Sequence, residues 1–500
     1  MHGLGAVFGD VVAWRIVAFS ACVLVGSPPT WANDGSNLEP SAPMQAQPWF
    51  SSAWKQITDP GGLRSRLEQA GVQFTLTYYG DALGNPSGGV QQGLSYSGRF
   101  STIVDADLEK LVGWSGATFH ASLHQIHGSG LSANNLENLM AVSGIEAPTS
   151  TRLFNLWIEQ KLGSGTNLRL GQFTAAQEFL VSQNANLFVN STFGWPALPA
   201  QNLPSGGPSY PEATPGARLK FTPNDQLTLL AAVFNGDPAG PGPGNPMERD
   251  PFGLAFRVND PPLLITELTY TYNQDHPGAS QENPHQEGSR ARTSVRQSSA
   301  ARSPDSGLPG TVKLGAWFHT GLFADQRFNA QGGLLAASSA KPLEHAGNFA
   351  VYGVIDQMLW RPASVDGDRG LNFFLRASAA PSDRNPINLY FDTGLTFKGP
   401  IPSRPDDTVG IGFAFGRISP QAAASDRDLA MLTGTPMPIR DYEAAIELTY
   451  SVQLAQDWTL QPDLQYIIHP GGHVPNPLDP SGNSPIPNAA VIGMRTILKF

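Results

Sequence analysis

The sequence predicts an all-β fold: a transmembrane antiparallel β-barrel of about 16 strands, preceded by a short N-terminal periplasmic segment. Three observations carry this. In the closing segment Asn488–Phe500, Ala490, Ile492, Met494, Leu498 and Phe500 share one face, interrupted by Thr496, while Arg495 and Lys499 lie on the other. A period of two is the strand period, and an apolar face opposite cations suits lipid outside and water inside. Segments of this kind recur along the chain at the ten-residue scale of a tilted bilayer crossing. Beyond residue 32 there is no run of eighteen apolar residues, which excludes helical spans.

At the amino end, Arg15 precedes an apolar stretch from Ile16 to Gly26, followed by Ser27, Pro28, Pro29, Thr30, Trp31 and Ala32. This cationic, apolar, small-residue order predicts a signal peptide over 1–32, exporting the chain toward the outer membrane of a Gram-negative bacterium. The apolar stretch is too short to span a bilayer. Phe19 and the apolar residues beyond Cys22 do not fit a lipoprotein site. Removing 1–32 removes Cys22, the single cysteine, so disulfides do not hold the exported chain together. The formal net charge of −10 gives no support to nucleic-acid binding. The 53 glycines, 43 prolines and 26 phenylalanines fit a barrel with many turns, and equally a loop-rich secreted β protein.

Residues 33–70 read as a polar, Pro-rich periplasmic segment, with Leu63, Leu67 and Ala70 at the spacing of a short helix. The barrel is expected over 71–500. Candidate strands fall near 72–80, 97–106, 114–126, 151–162, 167–173, 215–222, 226–235, 250–258, 262–273, 311–319, 349–359, 371–379, 388–397, 408–416, 442–454, 458–468 and 489–500. The alternation is clearest where Leu264, Leu268, Tyr270 and Tyr272 oppose Ile265, Glu267, Thr269 and Thr271, and where Leu371, Phe373 and Leu375 oppose Asn372, Phe374 and Arg376. Seventeen is odd, whereas single-chain bacterial barrels have even counts. Treating 250–258 as a loop restores parity and leaves a barrel wide enough for an aqueous channel. The polar stretch 274–310 then becomes a periplasmic insertion. Helix-period segments are nearly absent.

Several passages resemble the carbohydrate-selective porins of the OprB family: DADLEKLVGWSGA from Asp105 to Ala117, LWIEQ from Leu156 to Gln160, LRLGQF from Leu168 to Phe173, and Glu178–Phe179. The series continues with SYP ending at Pro211, PGARL from Pro215, FNGDP from Phe234 to Pro238, DLQYIIHPGG from Asp463 to Gly472, and the closing AAVIGMRTILKF. The resemblance runs from Leu67 to Phe500 and departs at 274–310. It implies a sixteen-stranded barrel through which sugars, monosaccharides such as glucose and small oligosaccharides, diffuse passively into the periplasm. Its partners would be neutral sugars, outer-membrane lipids and the barrel assembly machinery, read through the strand ending at Phe500; monomer and trimer both remain open.

A sugar is neutral and rich in hydroxyls, so a pore selecting it needs alternating donors and acceptors and aromatic faces, in weak, multiple contacts. The segment Thr174–Thr214 is long enough to fold into the lumen, and it carries Glu178, Asn184, Asn190, Trp195 and Tyr210. Flanking strands offer inward Trp157, Glu159, Arg169 and Arg218. The expected constriction is therefore Trp157, Glu159, Arg169, Glu178, Trp195, Tyr210 and Arg218. Each also fits a plainer role, the tryptophans as loop packing and the charged residues as solvated lumen groups. Tyr270, Tyr272, Trp360 and Trp458 read as an interfacial girdle.

Signals for catalysis are poor, no enzyme is expected, and no cofactor is implied. His120, His124 and His127 lie on an alternating strand, where the first two are about 13 Å apart and the third faces away, so one metal cannot bridge them. Asp81, Asp105, Asp107 and Glu109 read as turn and rim residues. The alternatives are a general, non-selective porin, a barrel enzyme using His469 with a serine for which no motif stands out, and a secreted glycan-binding β protein.

Overall fold

The computed structural model describes residues 60–274, 307–362 and 368–500. The expected signal peptide and most of the Pro-rich leader lie outside the described residues, as does 275–306 within the polar insertion. A short helix, Leu63–Gln69, leads into the first strand.

Among the described residues sixteen strands form one closed antiparallel barrel. They are β1 (Val72–Ser87), β2 (Gly93–Asp107), β3 (Ala117–Gly128), β4 (Ser150–Gly163), β5 (Thr166–Phe173), β6 (Thr214–Phe221), β7 (Leu227–Phe234) and β8 (Leu263–Tyr272). The second half comprises β9 (Gly310–Asn329), β10 (Pro342–Trp360), β11 (Gly370–Ala379), β12 (Ile387–Lys398), β13 (Thr408–Ile418), β14 (Tyr442–Ala455), β15 (Trp458–Ile468) and β16 (Ala489–Lys499). Each pairs with its sequence neighbours, and β16 returns to β1 with Asp81 opposite Arg495 and Ala82 opposite Met494. No strand edge is left open, the condition for backbone to cross hydrocarbon. The segment 250–258 contributes no strand, which settles the parity.

The alternation places side chains as the sequence requires. Leu264, Leu268, Leu314, Phe318, Leu448, Ile492 and Met494 are exposed on the outside, while Glu267, Lys313, Arg376, Glu447 and Thr449 are buried within. Tyr270 and Trp360 lie exposed near the barrel end that carries Phe500, and Trp458 there donates its indole N–H to Thr496 Oγ1 at 3.1 Å. At that end β4–β5 and β14–β15 are joined by tight turns, and the connection 273–309 closes the β8–β9 pair. The long connections 129–149, 174–213, 235–262, 419–441 and 469–488 are all at the opposite end.

Three sequence expectations need correction. Strands β9 and β10 run well past 311–319 and 349–359 and form a hairpin projecting beyond the wall. A helix, Pro420–Thr433, stands beside it, tied by Arg327 to Asp428 at 2.7 Å. Its punctuation is visible in the sequence: Ser419 caps the Ala422 N–H, Pro420 opens the first turn, and Gly434 ends it at φ 66°. It escaped notice because its amphipathicity is weak. Finally, Asp81 is neither at a turn nor at a rim but buried on the inner face of β1, bound by Arg495 at 2.7 and 2.8 Å, and Asp105 likewise lies on a strand, bonded to His120 at 2.7 Å. Asp107 and Glu109 do sit at the rim, where Asp107 caps a short helix.

Leu448→Arg, on the lipid side of β14, is expected to destabilise the folded barrel by about 2–4 kcal/mol. Ser451→Arg, on the inner face of the same strand, should change it by roughly 0.5 kcal/mol or less. Loss of heat-modifiable migration with rising urea measures both.

Candidate functional site

The segment 174–213 leaves the wall between β5 and β6 and is bonded to strands around the ring, from β8 to β14. Leu180 N–H donates to Glu267 on β8 at 2.9 Å. Asp356 on β10 accepts from Ser182 Oγ at 2.6 Å and from the Gln183 and Asn184 N–H groups. On β14, Glu447 takes the Val189 and Asn190 N–H groups at 2.6 and 3.0 Å. Arg376 on β11 donates to the Leu180, Thr192 and Phe193 carbonyls at 2.8–3.0 Å while its Nε stays 3.0 Å from Asp392. The loop therefore crosses the lumen with its backbone polar groups capped by lumen side chains, as buried backbone requires.

Its apolar side chains need room on the wall, and β13 supplies it. Between Thr408 and Ile418 its inward positions are Gly410, Gly412, Ala414 and Gly416. A Cβ at Gly412 would come within 2.8 Å of Phe193 and 2.9 Å of Phe188. Phe188, Phe193 and Phe374 pack with ring centroids 4.5–6.1 Å apart.

A second loop, 129–149, folds inward too, which the sequence reading missed. Leu139 and Met140 N–H donate to Glu443 at 2.8 and 2.7 Å, Ser143 Oγ to Asp81 at 2.6 Å, and Ser191 N–H of the first loop to the Ala141 carbonyl at 2.8 Å. The signal was present as Leu131, Leu136, Met140, Val142 and Ile145, five apolar residues in a connection, all of them buried.

Where the first loop leaves the wall, four charges meet. Register sets Arg169 on β5 directly opposite both Glu159 on β4 and Arg218 on β6. Two like charges side by side repel, and two carboxylates relieve it. Glu159 Oε2 lies 2.8 Å from Arg169 and 2.7 Å from Arg218. Glu178, from the loop, accepts from Arg218 Nε at 3.1 Å and also bonds Arg169. Desolvation raises the Glu178 carboxyl, yet Arg169 and Arg218 prevail and hold it below its ordinary value. Glu159 is the most open of the four, at 20% side-chain exposure.

The remaining expected residues surround this cluster unequally. The Arg169 guanidinium lies 3.7 Å from the Trp157 ring centroid, and His120 stacks on the same indole at 4.6 Å. Tyr210 donates its hydroxyl to the Ile145 carbonyl at 3.0 Å, joining the two loops. Trp195 is buried and donates to the Gly206 carbonyl at 3.0 Å, so it packs the loop. Asn184 and Asn190 anchor the loop to Asp356 and Gln465. Alternation in the sequence sets Glu267 and Arg376 opposite apolar faces but does not show that they, with Glu443 and Glu447, hold loops. His127 faces outward, beside Tyr78 and Phe100, as alternation requires. His469 bonds Asp441 and Asn488, and no serine hydroxyl bonds it among the described residues.

The family model described as carbohydrate-selective porin, OprB family, matches residues 91–500. Porin B of Pseudomonas aeruginosa is 24% identical over 442 residues, covering 84% of this chain and 88% of that protein. The putative porin QuiX of Acinetobacter baylyi is 24% identical over 483 residues, covering 92% and 95%. The high-pH structure of Pseudomonas putida OprB superimposes with a TM-score of 0.73 at 22% identity, covering 88% of this chain and 97% of that one, a likeness of fold.

Gly412→Val should displace the Phe188–Phe193 segment from the wall and raise single-channel conductance in planar bilayers while leaving the barrel heat-modifiable. Glu178→Gln leaves Arg169 and Arg218 with Glu159 as their one shared carboxylate and should destabilise the site by about 3–5 kcal/mol. Because the Glu178 pKa is lowered on folding, its contribution is complete above the ordinary carboxylate value of 4.5 and disappears as pH falls through the lowered folded value. The difference in urea stability between native and Glu178→Gln protein should thus be constant from pH 6 upward and shrink on acidification below about pH 4.5.

Proposed function

The chain belongs to the carbohydrate-selective porin, OprB family, and on that premise we propose that monosaccharides such as glucose, together with small oligosaccharides, pass by diffusion beside the Arg169–Arg218–Glu159–Glu178 cluster. As a family member it is an outer-membrane carbohydrate porin. The observation that carries the route is the pairing of two guanidiniums with two carboxylates under the inward loop. Two guanidiniums are matched by two carboxylates, with Lys220 close by on β6, so the site offers hydrogen-bonding groups while most of its charge is paired internally. Glu159, the most open of the four, would accept from sugar hydroxyls, while Arg169 and Arg218, both buried against the carboxylates, hold it in position. Glu178, Trp157, Trp195 and Tyr210 give the constriction its shape through the contacts described above. Several weak hydrogen bonds replace hydration water without trapping the solute.

Export through cleavage of 1–32 and reading of the strand ending at Phe500 by the barrel assembly machinery belong to the same proposal. They are supported by the cationic–apolar–small order at the amino end and by the alternating face of β16.

Proteoliposome swelling tests it with glucose, a trisaccharide and neutral amino acids matched in size. Sugars are expected to enter faster than size-matched solutes, and Arg218→Gln, which leaves two carboxylates with one cation, should slow glucose severalfold and turn the pore cation-selective. Equal rates by size would reduce the protein to a general pore and overturn the proposed selectivity.

A further inference from the structure

The rim opposite Phe500 carries a second cluster of ionisable side chains, away from the four-charge cluster. Asp441 immediately precedes β14, and the turn His469–Pro470–Gly471–Gly472–His473 immediately follows β15. Both histidines reach the one carboxylate: His469 Nδ1 lies 2.9 Å from Asp441 Oδ1 and His473 Nδ1 lies 3.7 Å from Oδ2. The two imidazoles stack with centroids 4.2 Å apart and planes 12° from parallel. One ligand atom from each of the three residues lies within 4.8 Å of the other two.

The backbone is shaped to bring the rings together. His469 and His473 both adopt left-handed conformations, with φ of 53° and 75°, a region that side chains other than glycine's seldom occupy. Gly471 and Gly472 between them are left-handed as well. The turn is held by Asp441 N–H to the Gly472 carbonyl at 3.0 Å, His469 N–H to Asn488 Oδ1 at 2.9 Å, and Gly471 N–H to Glu443 at 2.7 Å. Around zinc with bonds of about 2.1 Å, neighbouring ligand atoms of a tetrahedron are about 3.4 Å apart. The separations from the two Asp441 oxygens, 2.9 and 3.7 Å, lie either side of that distance, and all three donors lie within 4.8 Å of one another, close to the spacing one ion needs.

We propose that Asp441, His469 and His473 bind a borderline transition-metal dication of the zinc, nickel or copper(II) class, clamping the 419–441 loop to the 469–488 loop at the rim. Two imidazoles and one carboxylate select this class over calcium and magnesium, which take oxygen ligands. The fourth position faces solvent, because all three side chains keep between 24% and 42% exposure, so the ion would exchange with the medium. Neither the barrel nor the constriction depends on it.

The experiment is zinc titration of the untagged, detergent-folded full chain by calorimetry, with copper(II) electron paramagnetic resonance on the same protein. One saturable zinc site per chain is expected, together with copper hyperfine structure from two imidazole nitrogens. His473→Asn, which keeps a residue tolerant of left-handed backbone, and Asp441→Asn should each weaken zinc by tenfold or more. His345→Gln, at the separate His345–Asp325 pair of the projecting hairpin, should not. Absence of saturable zinc uptake by the native chain, or absence of nitrogen coupling to copper, overturns the proposal whether or not the variants fold. Zinc binding that survives both substitutions in folded protein overturns it as well.

Discussion

Hydrocarbon offers no hydrogen-bond partner, so every backbone N–H and C=O at membrane depth must be satisfied within the protein. For strands that means closure, and the ladder joining β1 to β16 completes the ring of sixteen. Closure then dictates the rest. Alternation turns one face of every strand to lipid and the other to an enclosed lumen, and leucine and phenylalanine outside are matched by carboxylates, guanidiniums and amides inside.

The same requirement recurs inside the lumen. Two loops enter it, and their backbones, withdrawn from bulk water, need partners as much as the strands do. Glu267, Asp356, Glu443 and Glu447 accept their N–H groups, and Arg376 donates to carbonyls of the 174–213 loop. The middle of the inward face of β13 is reduced to Gly410, Gly412, Ala414 and Gly416, so that the loop's aromatic rings can approach. A wide barrel is thereby partitioned into something narrower by groups that a freely solvated lumen would not need.

Charge is distributed to the same end. The chain is formally acidic at −10, yet beside the first loop two arginines and two glutamates pair with one another. Arg169 and Arg218, neighbours across β5 and β6, tolerate each other because Glu159 and Glu178 stand between them. It is on this internal pairing that the proposed sugar route rests.

Sixteen strands, their inward and outward faces and the lumen-bound loop 174–213 were legible in the sequence, because each follows from local periodicity or from segment length. Trp157, Glu159, Arg169 and Arg218 were placed inside by counting in twos. What periodicity does not carry is which inward groups meet. Glu178 reaches Arg169 and Arg218 only because a loop turns back on its own strands. Trp195 faces its own loop and not the passage for the same reason. The entry of 129–149, the weakly amphipathic helix Pro420–Thr433 and the placement of Asp81 against Arg495 depend on partners far away in the chain. Such partners are adjacent only once the barrel has closed. Local pattern determined the wall; closure decided what stands inside it.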